Sequence, residues 1–254
     1  MNTDAKYADR IAALLAKAES TTAEEAEALT AKAEELMIKY GIEQAHIDAA
    51  RLGSTAPEQI VTEKITFSGI YSQGSVMMGH YVAQGFGQLR TMQTKNVRTT
   101  NAAGKSVRGD QLWLIGFESD VKQCKLLIAS LELQCAVALR QWWSSNSDSR
   151  FMTKMEQFKE KRQFIISFGD GAGQRLRETR RRVVAEDKGS GTELVLVDRK
   201  ARVDRFVEDE YAPRKSRGRM QGGSFGGSSA GRAAGRNANV GGTAVSGNGK
   251  ALGR

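Results

Sequence analysis

Two runs of helical periodicity, separated by a Ser-Thr-Thr break, constrain the fold of this chain more than any other feature. The segment LLAKAESTTAEEAEALTAKAEELMIKYGI (residues 14–42) contains the tetrapeptide AKAE once on each side of the break. Thr22 and Glu25 form a capping-box pattern at the start of the second run, and Gly41 fits the position that ends a helix. A short turn between two such helices predicts an antiparallel helical hairpin, with small alanines at the contact and Lys and Glu outside.

Beyond residue 57 the sequence alternates between strand and helix patterns. Period-two alternation predicts a strand near residues 60–67. LRTMQTK (89–95) predicts a second strand, and QLWLIGF (111–117) predicts the clearest strand of the chain. A glycine-containing helix (76–88) separates the first two strands, and a long helix that reaches about Trp143 follows the third. The long helix should bury one stripe: Val121, Cys124, Ile128, Leu131, Cys135 and Leu139. The order β-α-β-β-α predicts a small α+β unit.

The remaining residues divide into a helical region and a polar tail. Residues 151–182 predict a helix that the glycines of FGDGAGQ interrupt. ELVLV (193–197) predicts a last strand, and residues 198–211 predict a last helix. After Pro213 the sequence is rich in Gly, Ser and Arg and has too few apolar side chains to fold alone, so disorder is predicted.

These patterns together predict an α+β protein in three parts. The first part is a helical hairpin domain of residues 1–50. The second is an α+β domain of residues 58–211, in which a small mixed sheet packs with long helices. The third is a disordered Gly/Arg-rich tail of residues 212–254.

The hairpin also carries a family resemblance. The pattern I-x-x-LLAKAESTT-x-x-EAEALTAKAEELM-x-KYGI over residues 11–42 resembles the family catalogued as domain of unknown function 2786. A looser similarity continues through LIGFESDVKQCKLL and FGDGAGQRLRE to the AAGRNANVGG tail. The resemblance implies an intracellular protein of bacteria, notably actinobacteria, or of their phages. It implies a helical hairpin ahead of an α+β body, and it brings no activity and no catalytic residues.

The net charge of +9 is distributed unevenly along the chain. Residues 1–50 carry five bases and ten acids, whereas residues 151–182 carry nine bases and four acids. Residues 212–254 contain eight bases and no acid. A polyanionic partner would therefore bind the carboxyl-terminal part of the chain, because releasing counterions from phosphates favours such contacts.

Basic side chains on one helix face and in the tail are the candidate nucleic-acid contacts. Arg177, Arg180 and Arg181 lie at i, i+3 and i+4, so they should form one patch. Arginines in a Gly/Ser background are typical of segments that follow a nucleic-acid backbone. The predicted binding residues are Arg175, Arg177, Arg180, Arg181, Arg182, Arg214, Lys215, Arg217, Arg219, Arg232 and Arg236. The expected function is non-enzymatic, largely sequence-nonspecific binding of DNA or RNA.

Other interpretations of the same residues stay open. The basic helix could be a solvated face, and the tail could serve only solubility. The acidic hairpin of residues 1–50 could instead dock a protein partner, which would make the chain an interaction or assembly module. A metal-dependent nuclease is a further alternative, because Asp110, Glu118, Asp120 and Lys122 flank one strand. However, Asp120 and Lys122 open a helix, where N-capping explains an acid.

No cofactor, metal or membrane anchor is expected. Cys124 and Cys135 lie on one helix face about 16 Å apart, too far for a disulfide. With two histidines and no Cys-x-x-Cys, the sequence does not predict a structural zinc site. The longest apolar run contains Glu132 and fails as a membrane span, and no secretory signal is visible at the N-terminus. We therefore expect a cytoplasmic protein.

Overall fold

The computed structural model describes residues 3–18, 23–50, 58–100, 104–187, 191–212 and 226–238. These residues form helices and strands in the order α1 (Thr3–Ala18), α2 (Ala23–Ala50), β1 (Ile60–Ser68), α3 (Ser72–Phe86), β2 (Arg90–Thr100), β3 (Ser106–Phe117), α4 (Glu118–Ser145), a 3-10 helix (Ser147–Phe151), α5 (Lys154–Glu186), α6 (Thr192–Tyr211) and α7 (Gly227–Arg236). The predicted α+β class and the β-α-β-β-α order are confirmed. Among the helices described, none is both long and apolar enough to cross a bilayer.

The sheet has three strands in the order β1-β3-β2, and both pairings are antiparallel. Ile60 of β1 pairs with Phe117, and Arg90 of β2 pairs with Ile115. The α3 crossover joins β1 to β2, which run in the same direction but are separated by β3. Because both hydrogen-bonded strand pairs are antiparallel, the prediction of a mixed sheet is wrong.

Helices cover both faces of the sheet. Leu112 is buried on the face that α3 and α4 cover, where the methyls of Leu112 and Ile128 lie close to Gly79. On the other face Trp113 meets Tyr211 of α6 edge to face. The predicted buried stripe of α4 is confirmed from Val121 to Cys135. The last residue of that stripe, Leu139, is only half-buried.

The helical hairpin is confirmed, but its second helix is longer than predicted. Tyr7 near the start of α1 contacts Tyr40 in α2, so the two helices are antiparallel. Gly41 does not end α2, which continues to Ala50. A Cβ at Gly41 would lie 3.1 Å from Oδ1 of Asp120, so this glycine serves close packing against the start of α4. The predicted cap Thr22 lies outside the described residues.

Helix α5 runs without a break through FGDGAGQ, so the predicted interruption is wrong. A Cβ at Gly169 would overlap the backbone of Met78, and one at Gly173 would overlap the carbonyl oxygen of Tyr81. A Cβ at Gly171 would overlap the carbonyl oxygen of Arg232 on α7. These glycines therefore let α3 and α7 approach α5 on different sides, at backbone contact distance.

Residues 193–197 belong to α6 and do not form the strand that ELVLV predicts. Leu196, Val203 and Val207 are buried and lie at intervals of seven and four residues, which is helical spacing. The short apolar run favoured a strand, but the helical spacing continues through Val207, and Leu196 is buried in a cluster with Ile38, Ile42 and Val183.

Residues 227–236 of the tail form a helix. Gly227, Gly231 and Gly235 of α7 face the carbonyl oxygens of Glu160, Phe164 and Phe168 on α5, respectively. The two helices are parallel and close enough for Cα–H···O contacts. The prediction of disorder is therefore wrong for residues 227–236, because the glycines that indicated it are the ones that permit this packing.

Adding a methyl group at the α5–α7 contact should destabilise the protein. Gly231→Ala raises helix propensity by about 1 kcal/mol, but the new Cβ would overlap backbone atoms of Phe164, which cannot rotate away. We expect a net loss of about 1–2 kcal/mol in the free energy of unfolding, measured by urea denaturation. Ala233→Leu on the exposed face of α7 is the control and should change it by less than about 0.5 kcal/mol. Equal stability of the two variants would contradict the packing.

Candidate functional site

A cleft of about 1180 Å³ opens between α5, α6 and the segment that joins α3 to β2. Its charged lining consists of five basic and two acidic side chains: Arg90, Arg177, Arg180, Arg181, Lys200, Asp187 and Glu193. Its apolar lining consists of Leu89, Val184, Leu194, Leu196 and Val197. We call this site the basic cleft. It combines an excess of positive charge with an aliphatic wall.

Three of the predicted arginines lie together in the basic cleft because of helical spacing. Arg177, Arg180 and Arg181 occupy one face near the end of α5. Within the described ranges, none of the three forms an ion pair with a carboxylate. Their charge is therefore available to an anionic ligand.

Arg180 is the most enclosed of these three arginines. Its guanidinium lies against Gly87, whose φ of 83° ends α3 in the left-handed conformation. With its amide oxygen turned towards the guanidinium, Gln88 accepts a hydrogen bond from Nη2 of Arg180 at 3.2 Å. Burial lowers the pKa of Arg180 and the charge of Asp120 opposes this change. Since arginine titrates far above neutral pH, the side chain remains a fixed cation.

A buried ionic network fixes α6 against the start of α4 and so shapes the cleft. Arg199 donates from Nε to Oδ2 of Asp120 at 3.2 Å and from Nη2 to Oε2 of Glu58 at 2.6 Å. Burial raises the pKa of Asp120, and Arg199 opposes that rise. Burial would also raise the pKa of Glu58, but Arg199 and the hydrogen bonds from Ser119 lower it overall.

The side chains of the nuclease alternative do not converge. Asp120 is engaged by Arg199, and Lys122 forms an ion pair with Glu118 at 2.6 Å. Asp110 lies towards the opposite end of β3, where it accepts a hydrogen bond from Ser72 Oγ at 2.6 Å. Within the described parts of the chain, no three His, Cys, Asp or Glu side chains are grouped to hold a metal ion. The geometry gives the nuclease alternative no support.

Arg175 of α5 lies outside the basic cleft and forms hydrogen bonds to α2 and to the carboxyl end of α7. Its Nε donates to Oε2 of Glu34 at 3.2 Å, and its Nη1 donates to the carbonyl oxygens of Arg236 at 3.0 Å and Ala238 at 2.6 Å. Glu34 belongs to the second AKAE and is only 1% exposed, so the expectation that its Lys and Glu lie outside is wrong for this residue. Burial raises the pKa of Glu34, and the Arg175 guanidinium opposes that rise.

The tail arginines that the structure describes are also paired internally. Arg232 donates to Asp170 at 2.9 Å, and Arg236 donates to Glu178 at 3.2 Å. Arg182 is exposed and does not line the cleft. The four remaining predicted residues lie outside the described ranges: Arg214, Lys215, Arg217 and Arg219. The predicted binding surface is thus divided, and only Arg177, Arg180 and Arg181 share the cleft.

Sequence reasoning missed several cleft residues. Arg90 was assigned only to a strand, although it lies three residues after Gly87, which ends α3 beside the cleft. Leu194 and Val197 were missed because residues 193–197 were assigned to a strand, which also separated them from Lys200 in the helix predicted to follow. A helical reading of residues 192–211 would have placed Val197 and Lys200 one turn apart on one face.

The comparison with protein families gives one match. Residues 6–44 match the model of a family described as protein of unknown function (DUF2786). This match confirms the resemblance over the helical hairpin, which is a short part of the chain, and it leaves the basic cleft outside. No curated protein and no solved structure shows significant similarity to the chain.

Removing the charge of Glu34 should destabilise the protein more than removing the charge of its neighbour. Glu34→Gln leaves Arg175 without a carboxylate, and we expect a loss of about 2–3 kcal/mol in unfolding free energy, less than for a fully buried pair because Arg175 is 21% exposed. Glu35→Gln is the matched control, since Glu35 makes exposed ion pairs with Lys32 and Lys39 and should cost less than about 1 kcal/mol. Equal urea midpoints for both variants would refute this ranking.

Proposed function

We propose that the protein binds nucleic acid without catalysis, through backbone contacts in the basic cleft, as an accessory protein of a bacterium or phage. The observation that carries the proposal is the set of three neighbouring arginines with no described carboxylate partner, Arg177, Arg180 and Arg181. Guanidinium groups bind phosphate in a bidentate manner, and the counterions that they displace favour binding.

The apolar wall of the basic cleft fits the same partner. Leu194 and Val197 are 77% and 66% exposed, beside the arginines. Aliphatic side chains can contact sugars and base faces once the phosphates are held by arginines. Such contacts do not distinguish one base from another, so the cleft supports binding with little sequence preference.

The structure changes the part that the tail plays in this proposal. Arg232 and Arg236 support α7 on α5 and are not part of the proposed interface. Arg214, Lys215, Arg217 and Arg219 remain proposed contacts that add affinity to the cleft through their charge.

An acidic, partly apolar peptide is the second candidate ligand. The exposed Leu194 and Val197 beside Lys200 would suit an amphipathic segment of a protein partner. This interaction function would use the basic cleft, whereas the earlier expectation used the acidic hairpin of residues 1–50. Binding that persists after nuclease treatment and does not require nucleic acid would favour it.

Removing two cleft arginines should weaken nucleic-acid binding and reduce its salt dependence. For Arg177→Ala/Arg181→Ala we expect at least about tenfold weaker binding of DNA, with the slope of log K against log salt reduced by about 2. Fluorescence anisotropy at several salt concentrations measures both quantities.

The matched control is Lys122→Ala/Lys125→Ala, which removes two positive charges at the start of α4. Lys125 pairs with Glu63 of β1, on the opposite edge of the sheet from β2 and the cleft. The control should bind within about twofold of the original protein. Equal losses in both variants would show that only total charge matters, and absence of binding by the original protein would refute the proposed function.

A further inference from the structure

Strands β2 and β3 continue past the end of β1 and form a two-stranded projection. The last residue of β1, Ser68, pairs with Gly109, whereas β2 and β3 remain paired up to Thr100 and Ser106. Residues 98–100 and 106–108 therefore lie beyond the end of β1 and have no third strand beside them in the described sheet. We call these residues the ribbon.

The ribbon carries an unfavourable arrangement of charge. Arg98 lies directly opposite Arg108, both are exposed, and cross-strand neighbours on one face have Cβ atoms about 5 Å apart. Like charges at this spacing destabilise a strand pair. Within the described residues neither arginine has an acidic partner, and Arg108 donates only to the carbonyl oxygen of Asn96, at 3.3 Å. An external anion would relieve this repulsion.

The surrounding sequence contains no acid to neutralise the two arginines. Residues 88–109 include five bases and no acid. The next residue, Asp110, directs its carboxylate to Ser72 Oγ at 2.6 Å and to the backbone N–H of Asn96 at 3.0 Å. Asp110 therefore fixes the irregularity between Thr94 and Val97, where Asn96 has a φ of 62°, and does not pair with the ribbon arginines.

We propose that the ribbon enters the major groove of double-stranded DNA, with Arg98 and Arg108 on its phosphates or base edges. The major groove of B-form DNA is about 12 Å wide and admits a two-stranded β-ribbon. The major groove of duplex RNA is too narrow for side chains to enter. The small polar side chains of Thr99, Thr100 and Ser106 fit this position and can donate to phosphate oxygens.

The ribbon and the basic cleft can contact one duplex. Arg90 lines the cleft at the start of β2, and Arg98 lies eight residues further along the same strand. At the rise of an extended strand this separation is at most about 26 Å, the length of about eight base pairs, and the irregularity at Asn96 shortens it. The inference rests on the proposed function, because the cleft would supply the second contact.

The ribbon is tested by comparing double-stranded and single-stranded DNA of the same sequence, about 20 nucleotides long, with duplex RNA as a third probe. For Arg98→Ala/Arg108→Ala we expect about tenfold weaker binding of duplex DNA in fluorescence anisotropy and less than about twofold change for single-stranded DNA. Lys122→Ala/Lys125→Ala, with the same loss of charge, should bind duplex DNA within about twofold of the original protein. Because Arg98→Ala/Arg108→Ala removes a repulsive pair, its Tm should equal or exceed that of the original protein. An unchanged or higher Tm would show that weaker DNA binding comes from lost contacts with DNA and not from unfolding.

The outcomes distinguish the ribbon from the cleft. Original-strength duplex binding by Arg98→Ala/Arg108→Ala, together with weak binding by Arg177→Ala/Arg181→Ala, would overturn the ribbon and leave the cleft standing. Equal losses on single and double strands, or duplex RNA bound as tightly as duplex DNA, would overturn insertion into the major groove. If the original protein binds none of the three probes, the proposed function fails, and the ribbon proposal fails with it.

Discussion

The contact of α5 with α7 is the constraint on which much of the structure depends. Glycines on both helices bring their backbones together, and α5 also holds both ends of α7. At the amino end, Gly227 N–H donates to Oε2 of the buried Glu160 at 2.9 Å. At the carboxyl end, Arg175 donates to the carbonyl oxygen of Ala238 at 2.6 Å. An acid and a base thus sit where the helix dipole of α7 favours each of them.

This arrangement also decides which arginines face the basic cleft. Arg175 is directed to Glu34 and the end of α7, while Arg177, Arg180 and Arg181 extend from another side of the same helix towards α6. Because α3 and α7 are in backbone contact with α5, the helix cannot turn about its axis without separating them. The position of the cleft arginines therefore follows from packing at the glycines, one to three turns earlier in α5.

Local patterns predicted the elements whose own residues decide their structure. The apolar run of β3 and the periodic apolar residues of the hairpin helices were visible in the sequence because each pattern lies within the element itself. The sequence pattern failed where a distant partner decides the outcome. Residues 227–236 have almost no large apolar side chains, and their helix depends on glycines at 169–173 that lie more than fifty residues away. Residues 193–197 are helical because Val203 and Val207 extend the same buried stripe.

The charge of a segment and the charge available to a partner are different quantities. The tail has no acid of its own, yet Arg232 and Arg236 find carboxylates on α5, because helices that pack in parallel bring Asp170 and Glu178 beside them. The basic cleft and the ribbon keep their charge for a structural reason. Residues 88–109 contain no acid, and Asp120, which lies near Arg180, is already occupied by Arg199. In the basic cleft the positive charge exceeds the negative charge, because Arg177, Arg180 and Arg181 form no ion pair within the described residues although Asp187 and Glu193 also line the cleft and Arg90 pairs with Asp204. At the ribbon the sequence itself leaves Arg98 and Arg108 without a nearby acid.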